Sequence, residues 1–111
     1  MPSDICAYLA RYVKAVEAEV GERVMLESSS SGFYQNVLGG TAYVSFYPSE
    51  IDLTLDLNGV EGMYELTADL THQDGRVVVG DIFKLSGNAE FLKENLGGIF
   101  NDLVRLISGR L

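Results

Sequence analysis

Two segments of this chain alternate strictly between apolar and polar residues. In the first, the apolar positions are Ile51, Leu53, Leu55 and Leu57. In the second, they are Tyr64, Leu66, Ala68 and Leu70. Apolar residues at every second position are typical of a β-strand with one face buried and the other in water. The two segments therefore predict neighbouring antiparallel strands in a sheet that is covered on one side only.

Shorter segments predict further strands around this pair. They span residues 33–38, 41–47, 76–79 and 82–85. Turns are expected at Gly39-Gly40, Pro48-Ser49, 58–62 and Asp74-Gly75, where glycine, proline, asparagine or aspartate interrupts the pattern. Gly80-Asp81 breaks the alternation and predicts a β-bulge. The four serines and one glycine of residues 28–32 are expected to form a mobile loop.

Both ends of the chain show helical periodicity. Residues 4–20 carry an apolar stripe, Ser3 is placed to cap this helix, and Gly21 is placed to end it. Ser86-Gly87-Asn88 is expected to stop the sheet and to offer caps for a second helix. The apolar residues of that helix are Phe91, Leu92, Leu96, Ile99, Phe100, Leu103, Val104, Leu106 and Ile107. Gly97-Gly98 interrupts that helix and predicts a kink or a close approach to the sheet.

The predicted order is a helix, four or five antiparallel strands and a second helix. The two helices have no other apolar surface to cover, so both are expected on the same face of the sheet. The fold class is a two-layer α+β sandwich built on a meander sheet, and its 111 residues form one domain, 1–111. In shape and charge alone, this outline is similar to bacterial secretion chaperones and to phage- or plasmid-borne inhibitor proteins.

The charge of the chain is concentrated in the predicted sheet. Between Arg23 and Arg76 there are eight acidic residues and no Lys or Arg, whereas the remainder has eight acids and eight bases. The central block therefore accounts for the whole formal charge of −8. Such a domain repels the phosphates of nucleic acids and anionic membranes, so neither is expected to bind directly.

The predicted pairing of the two alternating strands places Leu55 beside Leu66. That register sets Asp56 opposite Glu65 and Asp52 opposite Asp69. The preceding hairpin is expected to place Tyr43 beside Thr54 and Tyr47 near Glu50. Like charges in directly opposed positions destabilise a sheet by roughly 0.2–1 kcal/mol for each pair. Neutralising Asp52 and Asp56 together is therefore expected to raise the melting temperature.

Three interpretations of the acidic face remain open. It could be a solvated surface that resists aggregation, a docking surface for a basic protein, or a divalent-cation site. A basic partner could itself be a protein that normally holds nucleic acid. The candidate binding residues on this face are Tyr43, Tyr47, Asp52, Asp56, Glu65 and Asp69. Tyr34 is a further candidate, because the segment 28–34 could be an adaptable recognition loop as well as a segment that packs at the sheet edge.

The residue types that usually carry catalysis are scarce. The chain has one histidine, His72, and one cysteine, Cys6, and no spacing typical of a phosphate-binding loop. Cys6 lies on the apolar side of the first helix, where a buried role is expected. We therefore expect no enzyme activity and no cofactor. A single cysteine and an N-terminus without a basic and apolar leader favour the cytoplasm.

The leading hypothesis is a binding protein of the adaptor, chaperone-like or inhibitor type that docks its acidic sheet face on a basic surface. The alternative is a small-ligand-binding protein or minor enzyme with a pocket between the helices and the sheet. A homodimer is also expected, through the broad apolar helix 91–107 or through a sheet edge (33–38 or 82–85).

Overall fold

The computed structural model describes residues 4–60 and 62–111. Its elements follow the chain in the predicted order. They are α1 (Asp4–Arg23), β1 (Ser28–Asn36), β2 (Gly39–Tyr47), β3 (Ile51–Val60), β4 (Met63–His72), β5 (Val77–Gly87) and α2 (Ala89–Ser108). The strands form one antiparallel sheet in the order β1-β2-β3-β4-β5. The predicted α+β two-layer meander is therefore confirmed.

Both helices lie on the same side of the sheet. α1 packs over β1 and β2, and α2 packs over β4 and β5. Their apolar stripes meet the inward residues of the strands in one core. Its fully buried side chains include Val13, Val16, Phe46, Leu53, Leu55, Leu66, Leu70 and Leu96. We call the side of the sheet away from the helices the outer face.

Tyr12 joins the two helices inside this core. Its Oη donates a hydrogen bond of 2.8 Å to the carbonyl oxygen of Leu96, and its ring meets Phe100 edge-on. Burial raises the pKa of the Tyr12 phenol well above its ordinary value. The hydroxyl is therefore a fixed donor between α1 and α2.

The helix ends differ in part from the prediction. Gly21 does not end α1, which continues to Arg23. The Ser3 cap lies outside the described residues. Of the expected segment Ser86-Gly87-Asn88, Asn88 caps α2, because its Oδ1 accepts a hydrogen bond of 2.9 Å from the backbone N–H of Phe91. Ser86 and Gly87 do not stop the sheet, since both still belong to β5.

The glycine pair in α2 does not mark the predicted close approach to the sheet. Both residues are exposed. No atom lies within 4 Å of the position that a Cβ would take at Gly97 or Gly98, apart from the helix's own nearby backbone. The expected approach to the sheet is therefore wrong, and α2 runs unbroken from Ala89 to Ser108.

Gly97→Ala is accordingly expected to stabilise the protein by about 0.5–1 kcal/mol, because alanine lowers the entropy cost of an exposed helix position. Urea denaturation of the variant and the wild type measures this difference. A loss of stability would mean that α2 needs glycine here for a reason that its open surroundings do not reveal.

The serine run is a strand and not the predicted loop. Ser28–Asn36 forms β1, which pairs with β2 without interruption from Ser28↔Tyr47 to Asn36↔Gly39. On its inner side, Ser29 and Ser31 each donate a hydrogen bond of 2.7 Å to the carboxylate of Glu17 on α1. Tertiary hydrogen bonds thus stabilise a segment of low β-propensity.

The turns that bound β3 also differ from the prediction. Residues Val37 and Leu38 form the first hairpin turn, and Gly39-Gly40 already belongs to β2. β3 continues through Asn58-Gly59 to Val60, so the next turn comes later than expected. The bulge at Gly80-Asp81 is confirmed, because the pairing shifts on both sides of Leu70 and Asp81 has a φ of 48°.

None of the described helices is both long enough and apolar enough to cross a membrane.

Candidate functional site

Four carboxylates that were predicted as site residues lie on the outer face, on the two strands β3 and β4. Asp52 and Asp56 alternate with buried leucines on β3, and Glu65 and Asp69 alternate with buried residues on β4. No helix covers this side, because both helices pack on the opposite one. Alternation along the strands therefore brings these side chains onto one open surface.

The actual register separates the carboxylates. Across the β3–β4 ladder, Asp56 faces Thr67 and Asp69 faces Thr54, while Asp52 faces Thr71 and Glu65 faces Asn58. The predicted direct opposition of like charges is wrong by a shift of two residues, and the expected rise in melting temperature on neutralising Asp52 and Asp56 loses its physical reason. Because β3 extends to Val60, the strands pair two positions further along while the same side chains stay outside.

Hydrogen bonds within the domain hold three of these four carboxylates, those of Asp52, Asp56 and Asp69. Thr41 Oγ1 donates to Asp56 Oδ1 at 2.6 Å. The side-chain amide of Gln73 donates to Asp52 at 3.1 Å, and the backbone N–H of Asp81 in the bulge donates to Asp69 at 2.8 Å. These three carboxylates are therefore held in fixed positions by hydrogen bonds, although they lie on an open surface.

Basic residues are scarce on this surface. Lys84 is the only Lys or Arg in the five strands as the structure describes them. Its Nζ lies 3.6 Å from Glu65 in an exposed ion pair, an arrangement that contributes little to stability. Beside the β4–β5 turn, Asp74 pairs with Arg76, and hydrogen bonds from Arg76 hold the pKa of Asp74 below its ordinary value.

Two of the predicted tyrosines come together and the third does not. The rings of Tyr34 on β1 and Tyr43 on β2 lie 6.3 Å apart at an angle of 44°. Tyr43 covers Gly32, where a Cβ would lie 2.8 Å from the Tyr43 hydroxyl oxygen. Tyr47 pairs with Ser28 at the other end of β2. The aromatic part of the face is thus the Tyr34–Tyr43 pair.

Thr41 is a site residue that the sequence interpretation missed. Thr41 is only 8% exposed, and it lies between Tyr34 on β1 and Asp56 on β3. The β2–β3 register predicted from the sequence, with Tyr43 beside Thr54, is confirmed and also sets Thr41 opposite Asp56, so this contact could have been found from the sequence. Thr41 connects the aromatic pair to the acidic part of the face.

Asp56→Ala is expected to destabilise the protein by about 1–3 kcal/mol, because it leaves the nearly buried Thr41 hydroxyl without its acceptor. Asp52→Ala is the matched control, since its partner Gln73 is exposed and can turn to water. Thermal and urea unfolding measure both variants. Equal effects would show that the Thr41–Asp56 bond adds nothing.

The described residues do not support a metal site or a catalytic pair. No group of three or more His, Cys, Asp and Glu side chains is arranged to hold a metal ion within residues 4–60 and 62–111. Cys6 is buried near Leu57 and Gly59, whereas His72 pairs with Ile51 at the opposite end of β3. These two side chains therefore do not meet.

The alternative function would need a pocket between a helix and the sheet, and one of the grooves of this kind lies between α2 and β5. Its volume is about 180 Å³, smaller than the roughly 300–1,000 Å³ of typical ligand pockets. Its described lining is Ile82, Phe83, Ile99, Asp102, Leu103 and Leu106. Asp102 is the single charged group among them, so polar groups do not converge here.

Comparison with known protein families, curated proteins and solved structures gave no match. The outer face is therefore interpreted from its own residues.

Proposed function

We propose that this protein is a non-enzymatic binding domain that docks the outer face of its sheet on a basic surface of a partner protein. The observation that carries the proposal is the open outer face itself. It presents Asp52, Asp56, Glu65 and Asp69 with a single strand cation, Lys84. An adaptor, a chaperone or an inhibitor of a nucleic-acid-binding protein would all use such a surface.

Electrostatics and aromatic contact have separate roles in this docking. The field of the carboxylates accelerates encounter with a cationic surface and selects against anionic ones. The Tyr34–Tyr43 pair supplies contact area for an arginine or lysine side chain, since cations are attracted to aromatic ring faces. Tyr34 is 57% exposed and therefore accessible to a partner. Tyr47 contributes at the far end of the same face.

The fixed positions of the carboxylates favour docking over a purely solubilising role. A solubilising carboxylate needs only water, whereas Asp52, Asp56 and Asp69 are each hydrogen-bonded within the domain. Side chains that are already ordered lose less entropy when a partner binds. We place the protein in the cytoplasm, in keeping with its one buried cysteine.

The test compares two variants that each lose three negative charges. The first neutralises the outer face with Asp52→Asn, Asp56→Asn and Glu65→Gln. The control neutralises exposed helix residues with Glu22→Gln, Glu94→Gln and Asp102→Asn. Titration with a fluorescent oligoarginine peptide is expected to show affinity about tenfold lower for the first variant and nearly unchanged affinity for the control. Added salt is expected to weaken wild-type binding steeply.

Cross-linking of the wild type in a lysate of its host then identifies the partner, with the outer-face variant as the negative control. The captured protein is expected to be cross-linked next to β2, β3 or β4 and to have a basic surface. Equal weakening of peptide binding by both variants, or cross-links confined to the helices, would contradict the proposal.

A further inference from the structure

The two edges of the sheet are protected to different degrees. β5 carries Lys84, Asp81 and a bulge, which are devices that block pairing with another chain. β1 carries no charged residue and no proline, and all nine of its residues pair regularly with β2. Its other side has no neighbouring strand in the sheet. β1 is therefore an open pairing edge.

We propose that β1 pairs antiparallel with β1 of a second copy across a two-fold axis, joining two sheets into one. Overlap of the complete strands sets Gly32 against Gly32 of the second copy. The same overlap sets Ser30 against Tyr34 of the second copy, and Tyr34 against its Ser30. Every exposed backbone group along the edge then gains a ladder partner.

The charge distribution favours a second copy as the occupant of this edge. Each chain has a formal charge of −8, so two copies meet most easily where neither carries charge. β1 and β2 contain no charged residue, whereas the carboxylates of the outer face lie on β3 and β4. A basic peptide gains no ion pair from the side chains of β1, while the side chains of a second β1 bring no charge to this edge.

The helix layer leaves space beside this edge. α1 lies over β1 and β2, so pairing through β1 brings two copies of α1 side by side. A groove of about 480 Å³ runs along this flank, and its described lining is Cys6, Ala7, Ala10, Phe33 and Gln35. The small side chains of Ala7 and Ala10 allow the two copies of α1 to approach each other closely. On this inner side, full overlap places Phe33 of the second copy opposite Ser31.

The α2 surface is the weaker candidate for self-association. Five of the apolar residues of its broad stripe are buried within one chain, namely Leu92, Leu96, Leu103, Val104 and Ile107. Of the remaining four, Ile99, Phe100 and Leu106 are partly buried, and Phe91 is exposed. One chain therefore covers most of the broad apolar stripe on which a dimer through this helix would depend.

Sedimentation equilibrium at micromolar concentration tests the dimer with three paired substitutions. Ser30→Lys with Tyr34→Lys sets lysine opposite lysine twice, and is expected to weaken the dimer about tenfold. Ser30→Lys with Tyr34→Glu sets lysine opposite glutamate and is expected to restore it. Val77→Lys with Ser86→Lys places the same charges at exposed positions of the β5 edge and is expected to change nothing.

The wild type is expected to sediment at twice the chain mass of 12.1 kDa. Hydrogen exchange on the unmodified protein gives a second readout, because the amides of β1 are expected to lose protection on dilution while those of β3 keep it. A wild type of 12.1 kDa at every concentration overturns the proposal. So does equal weakening by the β1 and β5 variants, or a failure of the lysine–glutamate variant to restore the dimer.

Discussion

Replacing Leu55 by alanine is expected to lower the free energy of unfolding by about 2–5 kcal/mol. Leu55 is completely buried in the middle of β3. Its cross-strand neighbours are Ala42 on β2 and Ala68 on β4, so Leu55 is the large side chain between two small ones. Its neighbours cannot fill the cavity that its loss creates, which favours the upper part of the range.

Leu38→Ala is the matched control for this experiment. Leu38 lies in the β1–β2 turn and is 55% exposed, so the same chemical change removes far less buried surface. Its expected cost is below about 1 kcal/mol. Urea denaturation with an unchanged m-value measures both variants. If the two losses were similar, Leu55 would not hold the central position in the core that we assign to it.

Gly39→Ala is expected to destabilise the protein by about 1–3 kcal/mol or more, because the added methyl group has no space. A Cβ at this position would lie 2.0 Å from the carbonyl oxygen of Leu57 and 2.7 Å from its carbon. Both atoms belong to the backbone of β3, which cannot rotate away as a side chain would. Relief of the contact requires β2 and β3 to separate at the Gly39↔Asn58 pair.

Gly97→Ala is expected to change the free energy of unfolding in the opposite direction from Gly39→Ala, which makes the two variants a stringent comparison. Alanine at Gly97 meets open space and is expected to stabilise, whereas alanine at Gly39 meets backbone and is expected to destabilise. Thermal unfolding of the two variants in parallel measures the difference. A Gly39→Ala variant as stable as the wild type would mean that the β2–β3 ladder can shift at its end without cost.

Much of the fold could be predicted from local patterns. The alternation in β3 and β4 correctly assigned Leu53, Leu55 and Leu66 to the core, and it assigned Asp52 and Asp56 to the outer face. The helical spacing of the first segment predicted the buried side of α1, and Asn88 predicted the start of α2. These features depend on residues close in sequence, so they can be predicted without knowledge of the tertiary structure.

The candidate site could be predicted only in part. The residues of the outer face were found, but their arrangement was not, because strand alternation repeats every two residues and is unchanged by a slip of two. The later turn after Val60 selected the actual register, which places Thr67 and not Glu65 opposite Asp56. That difference turns an array of opposed charges into separated carboxylates held by hydrogen bonds.

Tertiary structure alone decided the state of the serine run. Four serines and a glycine have weak strand propensity, so local reasoning favoured a loop. In the folded protein β2 pairs with the whole segment, and Glu17 on α1 accepts hydrogen bonds from Ser29 and Ser31. By itself, then, the sequence determined which residues face the core and where the charge lies. The β3–β4 register, the Tyr34–Tyr43 contact and the strand formed by Ser28–Asn36 were decided by the tertiary structure, because none of them follows from the local pattern alone.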